Sequence, residues 1–366
     1  MNLIILLFLL VNCFLHGTFA SGIIPVLNFY IKENSGFPFS AYFLGIVLGQ
    51  FLIIANAKLS RKSLSYTFFE VCFGLSLILM GLSTTLTHFI YSRFIEGVFA
   101  GLSLPLLFRL VTLNQAIVDK SKKIALFNSV FAVGIVIGPS YVTILNNYFE
   151  FSNILKVNGT VFIIINIALH FVIYKMNLFE NYEDNNSFLI PLASYLKEKV
   201  KLFRNYLTLF YAKFFYGMLL SATSCYFYIY FPSNLSIQKF LLMVSVAFIV
   251  GQLIVVTILK FINRKKVDIY SPILAAISLI SFVLTKEMLF LFMAVIFQSS
   301  LLLVGQLNIG EKPDKIRDFA LFNLMTDPGM VLGSTLATLK FNGLVLACLF
   351  SLIPMSYFYV SSRRSS

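Results

Sequence analysis

Long apolar runs separated by short polar segments occupy most of the chain. A helix needs about 20 mainly apolar residues to cross a bilayer, and twelve such runs can be delimited. They cover residues 3–27, 39–56, 64–82, 87–110, 124–145, 157–174, 206–231, 240–261, 269–284, 288–307, 319–339 and 341–360. This pattern predicts an all-α membrane protein with twelve transmembrane spans, numbered here 1 to 12 in chain order.

The longest polar segment lies between spans 6 and 7, where it separates two sets of six spans. It contains an acidic and amide-rich stretch at 181–186, followed by three lysines and an arginine. We therefore predict an N-terminal six-helix bundle over 1–177, a cytoplasmic central loop over 178–205 and a C-terminal six-helix bundle over 206–366.

The composition agrees with a membrane protein and excludes several other classes. Hydrophobic residues make up 59% of the chain, charged residues 12%, and the mean hydropathy is +0.89, whereas soluble domains carry roughly a quarter charged residues. Soluble enzymes, nucleic-acid binders and disulfide-rich secreted modules are excluded. The cysteines lie far apart in apolar runs and suggest neither disulfides nor a metal site; they are Cys13, Cys72, Cys225 and Cys348.

The net charge of +13 is explained by topology. Most of the 28 lysines and arginines fall in the loops after even-numbered spans and at the C-terminus, and such loops face the cytoplasm. Both termini are thus predicted to be cytoplasmic, in the cytoplasmic (inner) membrane of a bacterium. Residues 3–15 and the following Thr18-Phe19-Ala20 resemble a cleaved signal peptide, but no basic residue precedes them, so span 1 is retained.

The two halves repeat each other. A shift of 195 residues pairs Ala125-Leu126-Phe127-Asn128 with Ala320-Leu321-Phe322-Asn323, and a shift of 202 pairs Gly49-Gln50 with Gly251-Gln252. Span 5 therefore matches span 11, and span 2 matches span 8. Parallel repeats related by an axis along the membrane normal are typical of secondary transporters, which bind substrate between the halves near the midplane.

Three segments resemble one transporter family. They are Gly134-Ile135-Val136-Ile137-Gly138-Pro139 in span 5, Arg93-Phe94-Ile95-Glu96-Gly97 in span 4, and Ala57-Lys58-Leu59-Ser60-Arg61-Lys62 between spans 2 and 3. Over essentially its whole length the chain resembles the major facilitator superfamily, nearest to its drug:proton antiporter branch. The resemblance implies the major facilitator fold, two parallel six-helix repeats, and alternating access.

The resemblance also assigns packing and gating positions. Small residues in span 5 and its repeat are expected to let helices of the two halves approach and slide; these residues are Gly134, Gly138 and Pro139, with Gly329 and Gly333. Arg61 and Lys62 occupy the gating loop. In that loop Ala57 and Arg61 replace the family's glycine and acid, which puts the usual gating ion pair in doubt.

Ionisable residues inside the membrane are the main functional candidates, because each is costly unless it faces a wet cavity or a partner. Arg93 and Glu96 share one face of span 4. They form either a structural ion pair or a site at which Glu96 exchanges a proton beside Arg93. The resemblance favours the second reading, because Arg93 matches the arginine tied to proton coupling in that branch.

The C-terminal half offers a second candidate pair, Lys213 in span 7 and Asp327 in span 11, which acts as a strut or as a switch. Many proton-coupled relatives have an acid in span 1, where this chain has Asn12 and His16. Gln298 and Tyr216 complete the candidate substrate-binding or proton-coupling residues. Glu70, near the start of span 3, is expected to be interfacial.

No phosphate-binding loop, zinc motif or nucleophile elbow is present, so no enzymatic activity and no cofactor is predicted. The leading hypothesis is proton-coupled export of a small amphipathic molecule, such as a drug or siderophore-like metabolite. One alternative is uptake of a small organic anion or amino acid, and another is a non-transporting sensor or interaction protein. The expected partners are a small-molecule substrate, protons and lipid, with no nucleic acid, and the protein is expected to be a monomer.

Overall fold

The computed structural model describes residues 2–23, 36–56, 63–114, 117, 119–175, 213–214, 237–259, 261–310 and 316–338. Within them eleven helices occur: α1 (Asn2–Ser21), α2 (Gly36–Ala55), α3 (Ser63–Gly81), α4 (Leu86–Leu113), α5 (Lys120–Leu145), α6 (Phe151–Lys175), α7 (Ile237–Ile258), α8 (Arg264–Thr285), α9 (Met288–Gly310), α10 (Ile316–Thr326) and α11 (Pro328–Thr338). The described residues contain no strand.

Each described helix lies at a predicted span, and span 11 is the one that is divided into two helices. Helices α1 to α6 are spans 1 to 6, and each is long and apolar enough to cross a membrane. Helices α7, α8 and α9 are spans 8, 9 and 10, with shorter apolar segments at Leu242–Ile258, Ile269–Thr285 and Met288–Val304. Span 12, the central loop and span 7 apart from Lys213 and Phe214 lie outside the described residues, so the proposed domain limits stay a prediction.

Span 11 is two helices rather than the single helix predicted. Helix α10 ends at Thr326 and α11 begins at Pro328, with Asp327 between them. Proline has no amide hydrogen to donate to the preceding turn, and its ring clashes with the carbonyl four residues earlier. The amide of Asp327 still donates to the Asn323 carbonyl at 2.6 Å. Asp327 therefore sits at a helix break inside the membrane.

In the N-terminal half the helices pack in pairs, α1 with α5, α2 with α4 and α3 with α6. Glycines bring the backbones of each pair together. In the α2–α4 pair, a methyl group on Gly97 would lie 2.8 Å from the carbonyl carbon of Tyr42, and one on Gly49 would lie 2.9 Å from the amide nitrogen of Leu102. Only glycine allows this approach, so these pairs are held backbone to backbone.

The glycines of span 5 have a different partner from the one expected. Gly134 and Gly138 face the backbone of α1 at Phe14 and Thr18, and Gly17 of α1 faces Phe131 in return. They therefore close-pack two helices of the same half, and the expectation that they let the two halves slide is wrong. Pro139 lies within the continuous helix α5, and Gly329 and Gly333 are buried in α11.

The two halves meet through α2 with α10 and α11, and through α5 with α7. At the first contact, Nε2 of Gln50 donates to Oδ2 of Asp327 at 2.6 Å. At the second, Nδ2 of Asn128 donates to Oε1 of Gln252 at 3.2 Å. Gln50 and Gln252 are equivalent in the sequence repeat, and α5 is equivalent to α10. The repeat therefore appears in the structure as two pseudo-symmetric contacts between halves.

Candidate functional site

The first site is built around Arg93 on α4, whose residue is only 2% exposed. Its Nη1 donates to Oε2 of Glu96, one turn further on the same helix. Its Nη2 donates to the carbonyl oxygen of Ala20 at 2.6 Å, close to the end of α1, where helix carbonyls have no amide partner. The ring centroid of Tyr42 on α2 lies 4.1 Å from the guanidinium carbon. Arg93 therefore joins three helices.

Glu96 is fully buried and faces this arginine with one oxygen only. Oε2 accepts the hydrogen bond from Arg93, whereas Oε1 has no hydrogen-bond partner among the described residues. The sequence-predicted pair is therefore present as an ion pair, with one carboxylate oxygen left over to accept a proton or a further donor.

A second acid, Glu70, lies beside His16 and not at the membrane interface. Both residues are 0% exposed, and Nδ1 of His16 is 3.6 Å from Oε2 of Glu70. Glu70 is two turns into α3, about 10 Å along the axis at 1.5 Å per residue. The expectation of an interfacial Glu70 is wrong because depth along a helix does not show which neighbour it faces, and Glu70 faces α1.

An amide network adjoins this second pair. Nδ2 of Asn12 donates to the Tyr66 hydroxyl at 2.5 Å and to Oδ1 of Asn166 at 2.9 Å, and Nδ2 of Asn166 donates back to Oδ1 of Asn12 at 3.1 Å. The side-chain donors of Asn12 are thus both used within the bundle, as expected of a residue that ties α1 to α3 and α6. Tyr66 and Asn166 were not identified from the sequence, although each is a polar residue within an apolar span.

Aromatic rings enclose His16. Its ring stacks on Phe73 with centroids 4.0 Å apart, and it meets Phe162 and Phe131 at 5.9 and 6.4 Å. In such apolar surroundings electrostatic interactions are stronger than in water, and an unpaired polar group is correspondingly costly.

The C-terminal half holds the second predicted pair. Nζ of Lys213 donates to Oδ1 of Asp327 and, at 3.2 Å, to Oδ1 of Asn323. The side chains of Lys213 and Asp327 are 15% and 11% exposed. Because Oδ2 of the same aspartate accepts from Gln50, the carboxylate at the break of span 11 is bonded by both halves at once.

The remaining candidates are not joined to these clusters by the described contacts. Gln298 on α9 is buried, and its Oε1 has no hydrogen-bond partner among the described side chains. Tyr216, Arg61 and Lys62 lie outside the described residues. Within the part of the chain that the structure covers, no three His, Cys, Asp or Glu side chains cluster as metal ligands would.

Comparisons with known proteins agree with this architecture. The family model described as Major Facilitator Superfamily matches residues 9–333. Among solved structures, the chain is similar to the xylose transporter XylE from E. coli in a partially occluded inward open conformation, with 12% identity, a TM-score of 0.71, and coverage of 98% of this chain and 97% of that one. It is also similar to the human organic anion transporter MFSD10 (TETRAN), with 11% identity, a TM-score of 0.70, and coverage of 96% and 98%.

No curated protein sequence shows a significant match to the chain. The family match covers most of the chain, and the structural likeness shows the fold. The protein is a multi-pass membrane protein that binds a small-molecule substrate within the bilayer, and its major facilitator fold serves alternating access and not enzymatic chemistry. The chain thus belongs to the Major Facilitator Superfamily of secondary transporters.

Proposed function

We propose that the protein exports a small amphipathic molecule in exchange for protons, with Glu96 as the coupling acid and Arg93 as its charge partner. The observation that carries this proposal is the buried Arg93–Glu96 pair, in which one carboxylate oxygen has no hydrogen-bond partner among the described residues. Buried ionisable groups in a membrane are expensive and mark ion or substrate pathways, and a carboxylate can carry a proton between the two sides.

The partners of Arg93 support reversible protonation of Glu96. If Glu96 becomes neutral, the guanidinium keeps its hydrogen bond to the Ala20 carbonyl and its contact with the Tyr42 ring. Protonation of Glu96 therefore weakens one contact of Arg93 but leaves its other two contacts in place. A buried guanidinium with no partner at all would cost several kcal/mol. The same step changes how strongly α4 is tied to α1.

The pairing of both cations argues against uptake of an organic anion or amino acid. Arg93 already faces Glu96, and Lys213 already faces Asp327 and Asn323. A substrate carboxylate would have to displace an acid of the protein itself before either cation could bind it. The span 5 sequence from Gly134 to Pro139, which resembles the drug:proton antiporter branch, supports export. The proposal includes a cytoplasmic membrane location, cytoplasmic termini and a monomer.

Proteoliposomes with a trapped pH-sensitive dye test this function. A panel of lipophilic cations, including tetraphenylphosphonium, and small carboxylates, including benzoate, is added under an imposed proton gradient. We expect lipophilic cations to drive proton movement in the wild type. Glu96→Gln is expected to abolish that movement, while Glu150→Gln, which removes an exposed glutamate between α5 and α6, leaves it unchanged.

Two results would count against the proposal. Proton movement driven only by carboxylates, and lost in Lys213→Met, would replace export with anion uptake. Proton movement that Glu96→Gln leaves intact would remove Glu96 as the coupling acid. If no compound in the panel causes proton movement, the result would favour the alternative of a non-transporting sensor or interaction protein.

A further inference from the structure

The two predicted ion pairs differ in how accessible they are. The side chains of Arg93 and Glu96 are 2% and 0% exposed, whereas those of Lys213 and Asp327 are 15% and 11% exposed. Asp327 also contacts Gln50 of the other half, so the second pair lies between the halves, where secondary transporters bind substrate. A ligand that enters there reaches this pair more readily than the first.

Asp327 is the fixed member of the second pair. Its carboxylate is one carbon away from the backbone, and its Oδ2 accepts from Nε2 of Gln50 at 2.6 Å. Its backbone amide donates to the Asn323 carbonyl at 2.6 Å. Its backbone carbonyl accepts from the amides of Met330 and Val331 at 2.8 and 3.3 Å. The position of this carboxylate is therefore set by the ends of α10 and α11.

Lys213 is the movable member of the pair. Its ammonium group is a point charge at the end of a flexible four-carbon side chain. Nζ donates to Oδ1 of Asp327 and, at 3.2 Å, to Oδ1 of Asn323, and it lies 5.6 Å from the ring centroid of Phe322. Rotation about the side-chain bonds of Lys213 withdraws the ammonium group from these oxygens without moving a helix.

The difference between the two members determines the charge of a ligand, because a ligand replaces the member that can move away. Withdrawal of Lys213 exposes two acceptors, Oδ1 of Asp327 and Oδ1 of Asn323. The Gln50 amide that donates to Asp327 also has an Oε1 with no hydrogen-bond partner among the described residues. Acceptors around one negative charge match an ammonium group, which has only donors, and not a carboxylate.

We propose that Asp327 and Asn323 bind the protonated amine of the substrate, and that the ammonium group of Lys213 occupies this subsite until the substrate displaces it. The inference rests on the proposed function and identifies its amphipathic substrate as an organic amine with an apolar body. One ammonium group replaces another at Oδ1, so the largely buried carboxylate keeps a positive partner throughout.

The surroundings of the subsite suit such a ligand. The Phe322 ring, which already lies near the ammonium group of Lys213, offers an aromatic surface to an organic cation. The exchange takes place at Oδ1 of Asp327, while Oδ2 remains bonded to Gln50. Binding of the amine therefore does not require this contact between the halves to break.

Isothermal titration calorimetry of the purified protein at pH 7 tests the site without a proton gradient. The probe is 2-phenylethylamine, which is protonated at this pH as a lysine side chain is. The probes 2-phenylethanol and 3-phenylpropionate are of similar size but neutral and anionic. We expect the wild type to bind only the amine. Lys213→Met should bind it at least about tenfold more tightly, because the competing ammonium group is gone and the amine restores a partner to the carboxylate.

Matched variants complete the test. The double variant Lys213→Met, Asp327→Asn has neither charge of the pair and should lose amine binding. Lys239→Met, which removes an exposed lysine of α7, should bind the amine as the wild type does. If Lys213→Met fails to fold, Lys213→Gln takes its place, since its amide can still donate to Asp327. It too should bind the amine more tightly than the wild type.

Three results would overturn the proposal. The amine binds neither the wild type nor Lys213→Met, or it binds both equally tightly, or it binds the double variant as tightly as Lys213→Met. Binding of 2-phenylethanol as tight as that of the amine would have the same meaning, because the carboxylate would then not recognise the ligand. Amine binding without proton movement in proteoliposomes would contradict the proposed function but not this site.

Discussion

Removing Arg93 should destabilise the protein in a strongly pH-dependent way. In Arg93→Met the side chain keeps a similar length but loses its charge, so Glu96 loses the sole hydrogen-bond partner that the described residues give it. Glu96 is 0% exposed and cannot remain ionised there without a partner. The folded variant must therefore bind a proton at Glu96 that the unfolded chain releases at neutral pH.

The size of this effect follows from the ordinary pKa of glutamate, about 4.3. Protonating such a group costs about 3.7 kcal/mol at pH 7 and about 1.1 kcal/mol at pH 5. Relative to a wild type in which Arg93 keeps Glu96 ionised at both pH values, the variant loses about 2.6 kcal/mol more stability at pH 7 than at pH 5. Any proton that the wild type itself binds at Glu96 makes this difference smaller. The lost Ala20 hydrogen bond and Tyr42 contact contribute equally at both pH values and cancel in the difference. The sign is fixed, because the folded variant binds the extra proton and stability falls as pH rises.

The free energy of unfolding can be measured by titration with a denaturing detergent in mixed micelles, followed by circular dichroism at pH 5 and pH 7. The double variant Arg93→Met, Glu96→Gln is the control, since it has no acid to protonate and should show the pH dependence of the wild type. Contributions from His16 and Glu70 are common to all three proteins. An equal loss of stability at the two pH values would refute the argument that Glu96 is buried and depends on Arg93.

Two further predictions concern packing and the break in span 11. Gly97→Ala should lower the free energy of unfolding by at least about 1–3 kcal/mol, because its methyl group would press on backbone atoms of Tyr42. The control Leu79→Ala removes an exposed, lipid-facing side chain and should change this free energy by about 0.5 kcal/mol or less. The same detergent titration measures both variants. Asp327→Asn should cost about 3 kcal/mol in the same titration because it leaves Lys213 largely buried without its carboxylate, and adding Lys213→Met should recover most of that loss. If the double variant is as unstable as Asp327→Asn alone, the stability that Asp327 contributes does not come from its ion pair with Lys213.

Local spacing was enough to predict much of the fold and part of the site. Hydropathy located the described spans, because burial in lipid requires long apolar runs regardless of how the helices pack. The pairing of Arg93 with Glu96 follows from three-residue spacing on one helix. The pairing of Lys213 with Asp327 was proposed from similar depth in two spans. The repeat matched Gln50 with Gln252 but did not predict that either side chain joins the two halves.

What the sequence did not reveal depends on the rotation of helices about their axes. Glu70 was placed at the interface although it faces His16, and Gly134 was assigned to the contact between halves although it packs against α1. In both cases the neighbour is distant in sequence, and nearly uniform apolar helices carry little amphipathic signal to orient them. Span 11 was predicted as one helix, although it contains Pro328, a residue that interrupts helices.

The backbone-to-backbone glycine contacts have a mechanical consequence for the N-terminal half. Helices that touch through carbonyl oxygens and amides have few intervening side chains that could change rotamer. Each helix pair therefore moves as one rigid unit. The contacts between halves at Gln50 and Gln252 instead rest on flexible amide side chains. The contact between the two halves is therefore the most deformable part of the described structure. A force acting on this contact rotates one helix bundle relative to the other before it bends a helix pair within either bundle.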